Sequence, residues 1–139
     1  MVIFMNDEIF RITKDKERAR DLIVMAKERI DMINILPQDK PYRLIEEYYE
    51  ILKELLTAIM YIDGYKTLSH KKLIQYFSDN YNELDNSQIN LVDSMRKFRN
   101  DILYYGKKIS GNFLINNENS ISEIIKVLTE VADRKIKGN

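Results

Sequence analysis

Apolar residues recur at spacings of three and four along most of the chain, and polar runs separate the periodic segments. Ala19, Leu22, Ile23, Ala26, Ile30 and Ile33 form one stripe. Leu44, Ile45, Tyr48, Leu52, Leu55, Leu56 and Ile59 form a second. This spacing predicts two long amphipathic helices. Thr13 reads as the cap of the first, with Asp15 and Glu17 in its first turn. Pro37 lies just past its end, and Asp39 and Pro41 suit the start of the second. Gly64 is placed to end the second as a left-handed cap. Two long helices joined by a short loop are expected to pack antiparallel.

The second half repeats the pattern. Ser69 predicts the cap of a short helix carrying Leu73, Ile74 and Phe77, and SDNYNELDNS reads as a polar connection. Ser87 or Asn86 can cap a third long helix from about Gln88 to Ile109, closed by Gly111. NFLINNEN reads as an asparagine-rich linker, and Ser120 with Glu123 matches the capping-box spacing. Ile121, Ile124, Ile125, Leu128 and Ala132 then supply the stripe of a final helix. No segment alternates with period two, so no sheet is expected. Residues 1–12 read either as an N-terminal arm or as a short helix. The whole, residues 1–139, is expected to be a single all-α domain: an antiparallel up-and-down bundle of four main helices plus a short one.

One position breaks the pattern. In MRKFRNDILYYGK, Leu91, Val92, Met95, Phe98, Ile102 and Leu103 fall on both sides of Arg99 when the helix is turned about 100° per residue. Arg99 thus sits inside an apolar stripe. A buried guanidinium needs a partner, because an unpaired buried charge is costly. The candidates are a carboxylate such as Glu46, Glu47 or Glu50, a subunit interface, or an anionic ligand. Asn100 and Tyr104, four residues apart, put an amide and a phenol on a neighbouring face.

Composition narrows the chemistry. Hydrophobic residues make up 45% of the 139, which argues for a folded core. There is no cysteine and one histidine, which excludes disulfides and thiolate chemistry and argues against a zinc site. No metal and no cofactor are expected. Lys+Arg and Asp+Glu balance at 22 each, so a general nucleic-acid coat is not expected, while a local basic patch is allowed. Arg96, Lys97, Arg99, Lys107 and Lys108 make such a patch against Asp93 and Asp101. No apolar run is long enough to span a bilayer, and MVIFMNDEIFRI lacks a basic leader. The expected location is cytoplasmic, with no membrane partner. No glycine-rich phosphate loop or nucleophile elbow is present.

Three segments, in this order, carry a resemblance: KDKERARDLIVMAKERI, then YRLIEEYYEILKELLTAIMYIDGYKTLSHKKLIQYF, then RNDILYYG. Over Lys14–Lys135 the chain resembles the HEPN family of small helical-bundle domains. The resemblance implies a homodimer whose signature helices face each other. It also implies kinship with metal-independent ribonucleases, many of them toxins paired with a small nucleotidyltransferase antitoxin. The family motif is an arginine, a following polar residue and a histidine about five positions on. Arg99 and Asn100 match the first two positions. Tyr104, or Tyr105 with a slip of one, stands where the histidine would be.

That departure bears on activity. A tyrosine, with an ordinary pKa of about 10, is a poor general base beside an imidazole. The expectation is therefore a homodimeric module that binds a nucleotide, an RNA phosphate or a partner protein, with weak or no cleavage. Arg96, Arg99, Asn100, Tyr105 and Lys107 would hold the phosphate. The alternative is a metal-independent endoribonuclease using Arg99, Asn100 and Tyr104. A third reading is structural, with Arg99 locked in an internal ion pair. His70, just after Ser69, reads as a helix-start residue that covers the end of the second helix or donates to a loop carbonyl. A catalytic His70 would require a fold that brings it beside Arg99.

Overall fold

The structure is a computed structural model and describes residues 4–6, 8–105 and 111–138. They form an all-α helical bundle with a small sheet at one edge. The helices are α1 (Lys16–Met32), α2 (Pro41–Asp63), α3 (His70–Asn80), α4 (Asn86–Tyr105) and α5 (Gly111–Lys137). The strands are β1 (Phe4–Asn6), β2 (Ile9–Arg11) and β3 (Tyr65–Thr67), antiparallel in that order.

The central helix is α2, which packs against every other helix. Both its flanks are apolar, which is why Leu44, Ile45, Tyr49, Ile51, Leu52, Leu55, Ile59 and Met60 are all buried. A helix this apolar on so many sides must be covered on several sides. The α1 stripe supplies Ala19, Ile23 and Ala26, whose small side chains let α1 approach closely. Ile121, Ile124, Leu128 and Ala132 of α5 and Val92 and Met95 of α4 complete the core.

Several boundaries differ from the sequence expectation. Asp15, not Thr13, caps α1, its Oδ1 accepting the Arg18 amide at 3.0 Å. Asp85 caps α4: its Oδ1 accepts from the Gln88 amide at 2.8 Å, and Gln88 Oε1 accepts from the Asp85 amide at 2.9 Å. This reciprocal box wins over Asn86 and Ser87 because it satisfies two backbone donors. The larger difference is α5, which begins at Gly111 and runs straight through the asparagine-rich stretch. Phe113 packs edge-on against Phe98 with ring centroids 4.5 Å apart, and Leu114 is buried. Tyr48 donates to Glu118 at 2.9 Å, and Asn117 donates back to the Phe113 carbonyl at 2.8 Å. Tertiary packing of Phe113 and Leu114 outweighs the weak helix propensity of asparagine. Ser120 and Glu123 consequently lie inside a helix and cap nothing.

The sheet was not expected from the sequence. Its strands have three residues each, too short for a period-two signal. The N-terminal segment is therefore an arm, with Ile9, Phe10 and Arg11 opposite Thr67, Lys66 and Tyr65. Gly64 ends α2 as expected, at φ +90°, its amide donating to the Met60 and Tyr61 carbonyls. The Ile12 amide donates to the Gly64 carbonyl at 2.8 Å. A Cβ on Gly64 would lie 3.2 Å from the Ile12 carbonyl oxygen. Gly64→Ala is therefore expected to cost about 2 kcal/mol, from left-handed strain plus crowding of the arm. A urea midpoint shift at unchanged slope would measure it.

Candidate functional site

Arg99 projects from α4 toward α2, and its side chain is 19% exposed. Its Nη2 donates to Glu50 Oε1 at 3.1 Å. Of the three carboxylates proposed from sequence as partners, Glu50 is the one that meets it. The guanidinium carbon also stands 5.7 Å from the centre of the Tyr49 ring, within cation–π range. Arg99 therefore stays in a mostly apolar stripe because one charge and one ring offset its desolvation.

Glu50 is shared. Its Oε2 accepts from Lys53 Nζ at 2.7 Å. Burial alone would raise the Glu50 pKa, but the Lys53 hydrogen bond and the charges of Lys53, Arg99 and Arg29 hold it below the ordinary value. One turn earlier on α4, Arg96 Nε pairs with Asp93 Oδ1 at 2.8 Å, and Lys97 reaches Asp93 Oδ2 at 3.4 Å. Asp93 is held below its ordinary pKa: the Arg96 and Lys97 interactions outweigh burial, which pushes the other way. Lys53, Arg96, Lys97 and Arg99 thus accompany Glu50 and Asp93, and Arg29, whose charge also reaches Glu50, brings Glu47 and Glu54 with it, so the cations exceed the carboxylates by one. The positive excess is local, on a chain whose formal charge is zero.

His70 belongs to this group, which corrects the sequence reading of it. Its ring lies 5.9 Å from the Tyr49 ring, tilted by 40°. Tyr49 is in the first half of α2, so His70 does not cover that helix's end. The chain reaches this point because β3 turns back from Gly64 and Ser69 then starts α3, its Oγ accepting the Lys72 amide at 3.2 Å. Burial lowers the His70 pKa first, the charges of Lys53, Arg99 and Arg96 lower it further, and Glu50 opposes them. The setting accordingly disfavours the imidazolium. Tyr49, 1% exposed, is the ring that both His70 and Arg99 approach. Burial pushes its phenol pKa far above the ordinary value, so it acts as a ring and not as an acid.

The other proposed site residues distribute as follows. Asn100 is half-buried on α4, next to Arg99. Tyr104 and Tyr105 fall in the last turn of α4, but their side chains lie outside the described residues. Lys107, Lys108 and the expected continuation of this helix to Ile109 also lie outside them. Leu103, placed in the buried stripe by periodicity, is 49% exposed, and Ile115 of α5 is 77% exposed. The apolar stripe therefore reaches the surface where α4 ends.

Sequence reasoning singled out Arg96, Arg99 and Asn100 and missed Tyr49, Lys53 and the proximity of His70. Tyr49, Glu50 and Lys53 are neighbours on one helix, so finding Glu50 would have led to Lys53 by the i, i+3 rule. Nothing local could have delivered His70, whose place depends on a chain reversal. Among the described residues, no helix is long and apolar enough to cross a membrane. Compared with protein-family models, with curated proteins and with solved structures, the chain shows no significant match to any of them.

Proposed function

We propose that the chain is a HEPN-like, cytoplasmic, homodimeric module that binds the phosphate of a nucleotide or RNA in the groove around Arg99, with weak or no cleavage. The observation that carries this reading is the Arg99 setting. A guanidinium stands at the rim of an apolar stripe, among cations that outnumber the carboxylates. Glu50 engages one of its five N–H groups among the described residues, so others can donate to a phosphate oxygen. Exposed Leu103 of α4 and Ile115 of α5 offer apolar surface to a second copy. The same rim would serve a nucleotidyltransferase partner in a toxin–antitoxin pair, and no metal or cofactor is required.

A second reading, the metal-independent endoribonuclease, draws support from His70, whose ring approaches the same tyrosine as Arg99. In that reading Arg99 stabilises the charge that develops on phosphorus, Asn100 positions the phosphate, and Tyr104 orients it.

One experiment separates these. Labelled single-stranded RNA is titrated with wild type and Arg99→Ala in the presence of a chelator, with binding and cleavage read in parallel. Arg99→Ala is expected to weaken binding about 10-fold or more, the loss of one or two charge-assisted hydrogen bonds. Cleavage by wild type that vanishes in the variant would favour the second reading. Equal binding by both proteins, with Arg99→Ala merely less stable, would reduce Arg99 to an internal ion pair with Glu50 and overturn the proposal.

A further inference from the structure

We infer that His70, from a helix other than the arginine helix, contacts the bound phosphate and takes up a proton as the phosphate binds. The inference rests on the phosphate-binding reading of the Arg99 groove and adds to it a residue and a proton. Its basis is geometric. His70 and Arg99 approach the same buried ring, at 5.9 Å and 5.7 Å from the Tyr49 centroid. Two side chains that approach one ring lie near each other, and an oligonucleotide held by Arg99 would meet His70 with the same phosphate or the next. The two side chains come from α3 and α4 and meet over α2, so the fold and not local sequence builds the pair.

The charges around His70 set what it does there. From α2 it faces Glu50 and Lys53, and from α4 it faces Arg96 and Arg99. On its own helix Lys71 is exposed to solvent. In the free protein these cations and burial disfavour the imidazolium. A phosphate entering the groove supplies negative charge beside the ring and reverses the balance. The neutral ring then gains a proton, and both its nitrogens become donors. The sign follows from linkage. If the pKa in the bound state exceeds that in the free state, binding consumes a proton. Affinity then rises as pH falls through the bound-state pKa and levels off below the free-state pKa. A phosphodiester does not titrate near neutrality, so the ligand itself contributes nothing to that slope.

The chain's single histidine makes the test direct, because its ring signals in an NMR spectrum need no assignment. The probe is a short oligouridine without terminal phosphates. The His70 pKa is measured with and without it, and affinity is followed from about pH 5 to 8, the range in which histidine titrates, for wild type, His70→Gln and Arg99→Ala. A rise of about one unit on binding is expected, with an affinity gain of about 10-fold across the window. His70→Gln should bind with no such slope. Should it fail to fold, the wild-type titration still decides. Oligouridine that binds through Arg99 but leaves the His70 pKa and the pH profile unmoved would overturn this inference alone. Absence of Arg99-dependent binding would remove the phosphate reading and this inference with it.

Discussion

Tyr49→Ala is expected to destabilise the protein by about 3–5 kcal/mol, the range for truncating a large aromatic in a packed core. The ring is 1% exposed and lies on the most enclosed helix of the bundle, so neighbouring atoms can collapse into the void only partly. The variant should also disturb two remote side chains. Arg99 loses its cation–π partner and His70 its tilted ring neighbour. Tyr49→Phe keeps the ring and should keep both placements. Urea denaturation measures the first effect, and the His70 ring signal in NMR measures the second. A small stability loss with an unmoved His70 signal would mean that Tyr49 does not hold these side chains in place.

Removing Arg29 should have the next largest effect, and it should depend on pH. Arg29 of α1 bridges two carboxylates of α2, at 2.6 Å to Glu47 and 3.1 Å to Glu54. Glu54 is only 4% exposed. Arg29→Ala leaves that carboxylate buried without its cation, a situation that costs about 3–5 kcal/mol. Arg29 is itself a third exposed, so about 3 kcal/mol is the appropriate figure. Burial already pushes the Glu54 pKa up, against the pull of Arg29, and losing Arg29 pushes it further. Its folded-state pKa then lies above the unfolded value. Such a group weakens the fold at neutral pH; the penalty begins to shrink as pH falls through the folded-state pKa and is gone below the unfolded value. The Arg29→Ala penalty should accordingly shrink on acidification. Denaturant midpoints for the variant and wild type at pH 7 and pH 5 test this, and a penalty that stays constant or grows at pH 5 would contradict it. Arg29→Ala combined with Glu54→Leu should recover most of the loss, because neither charge is then buried alone.

What the sequence made legible was the periodic part of the molecule. The apolar stripes of α1, α2 and α3, the Ser69 cap and the Gly64 stop follow from spacing and from the φ preferences of single residues. Arg99 was legible for the opposite reason, as a charge that violates its own stripe. The N-terminal half of α5 was not legible. Asparagine propensity argues against a helix there, and it is overridden by the burial of Leu114 and the contacts of Phe113 with Phe98 and of Glu118 with Tyr48. The sheet was hidden because three-residue strands carry too little pattern. His70 was misplaced for a connected reason. Without β3 the chain after Gly64 has no reason to return along α2, and the histidine would stay at that helix's end. The error in the sheet and the error in the site are one error.

The N-terminal arm acquires a meaning from this. Thr67 Oγ1 donates to the Glu8 carbonyl and accepts at 3.0 Å from the amide of Ser69, the residue that caps α3. Ile9, Phe10 and Arg11 fix the register of the same strand. The beginning of the polypeptide thus works as a tether on the imidazole about sixty residues away. Shortening the arm, fusing a tag to it or drawing it into a neighbour's sheet would slacken that tether. The placement of His70 beside Tyr49 would then change without any substitution in α2, α3 or α4.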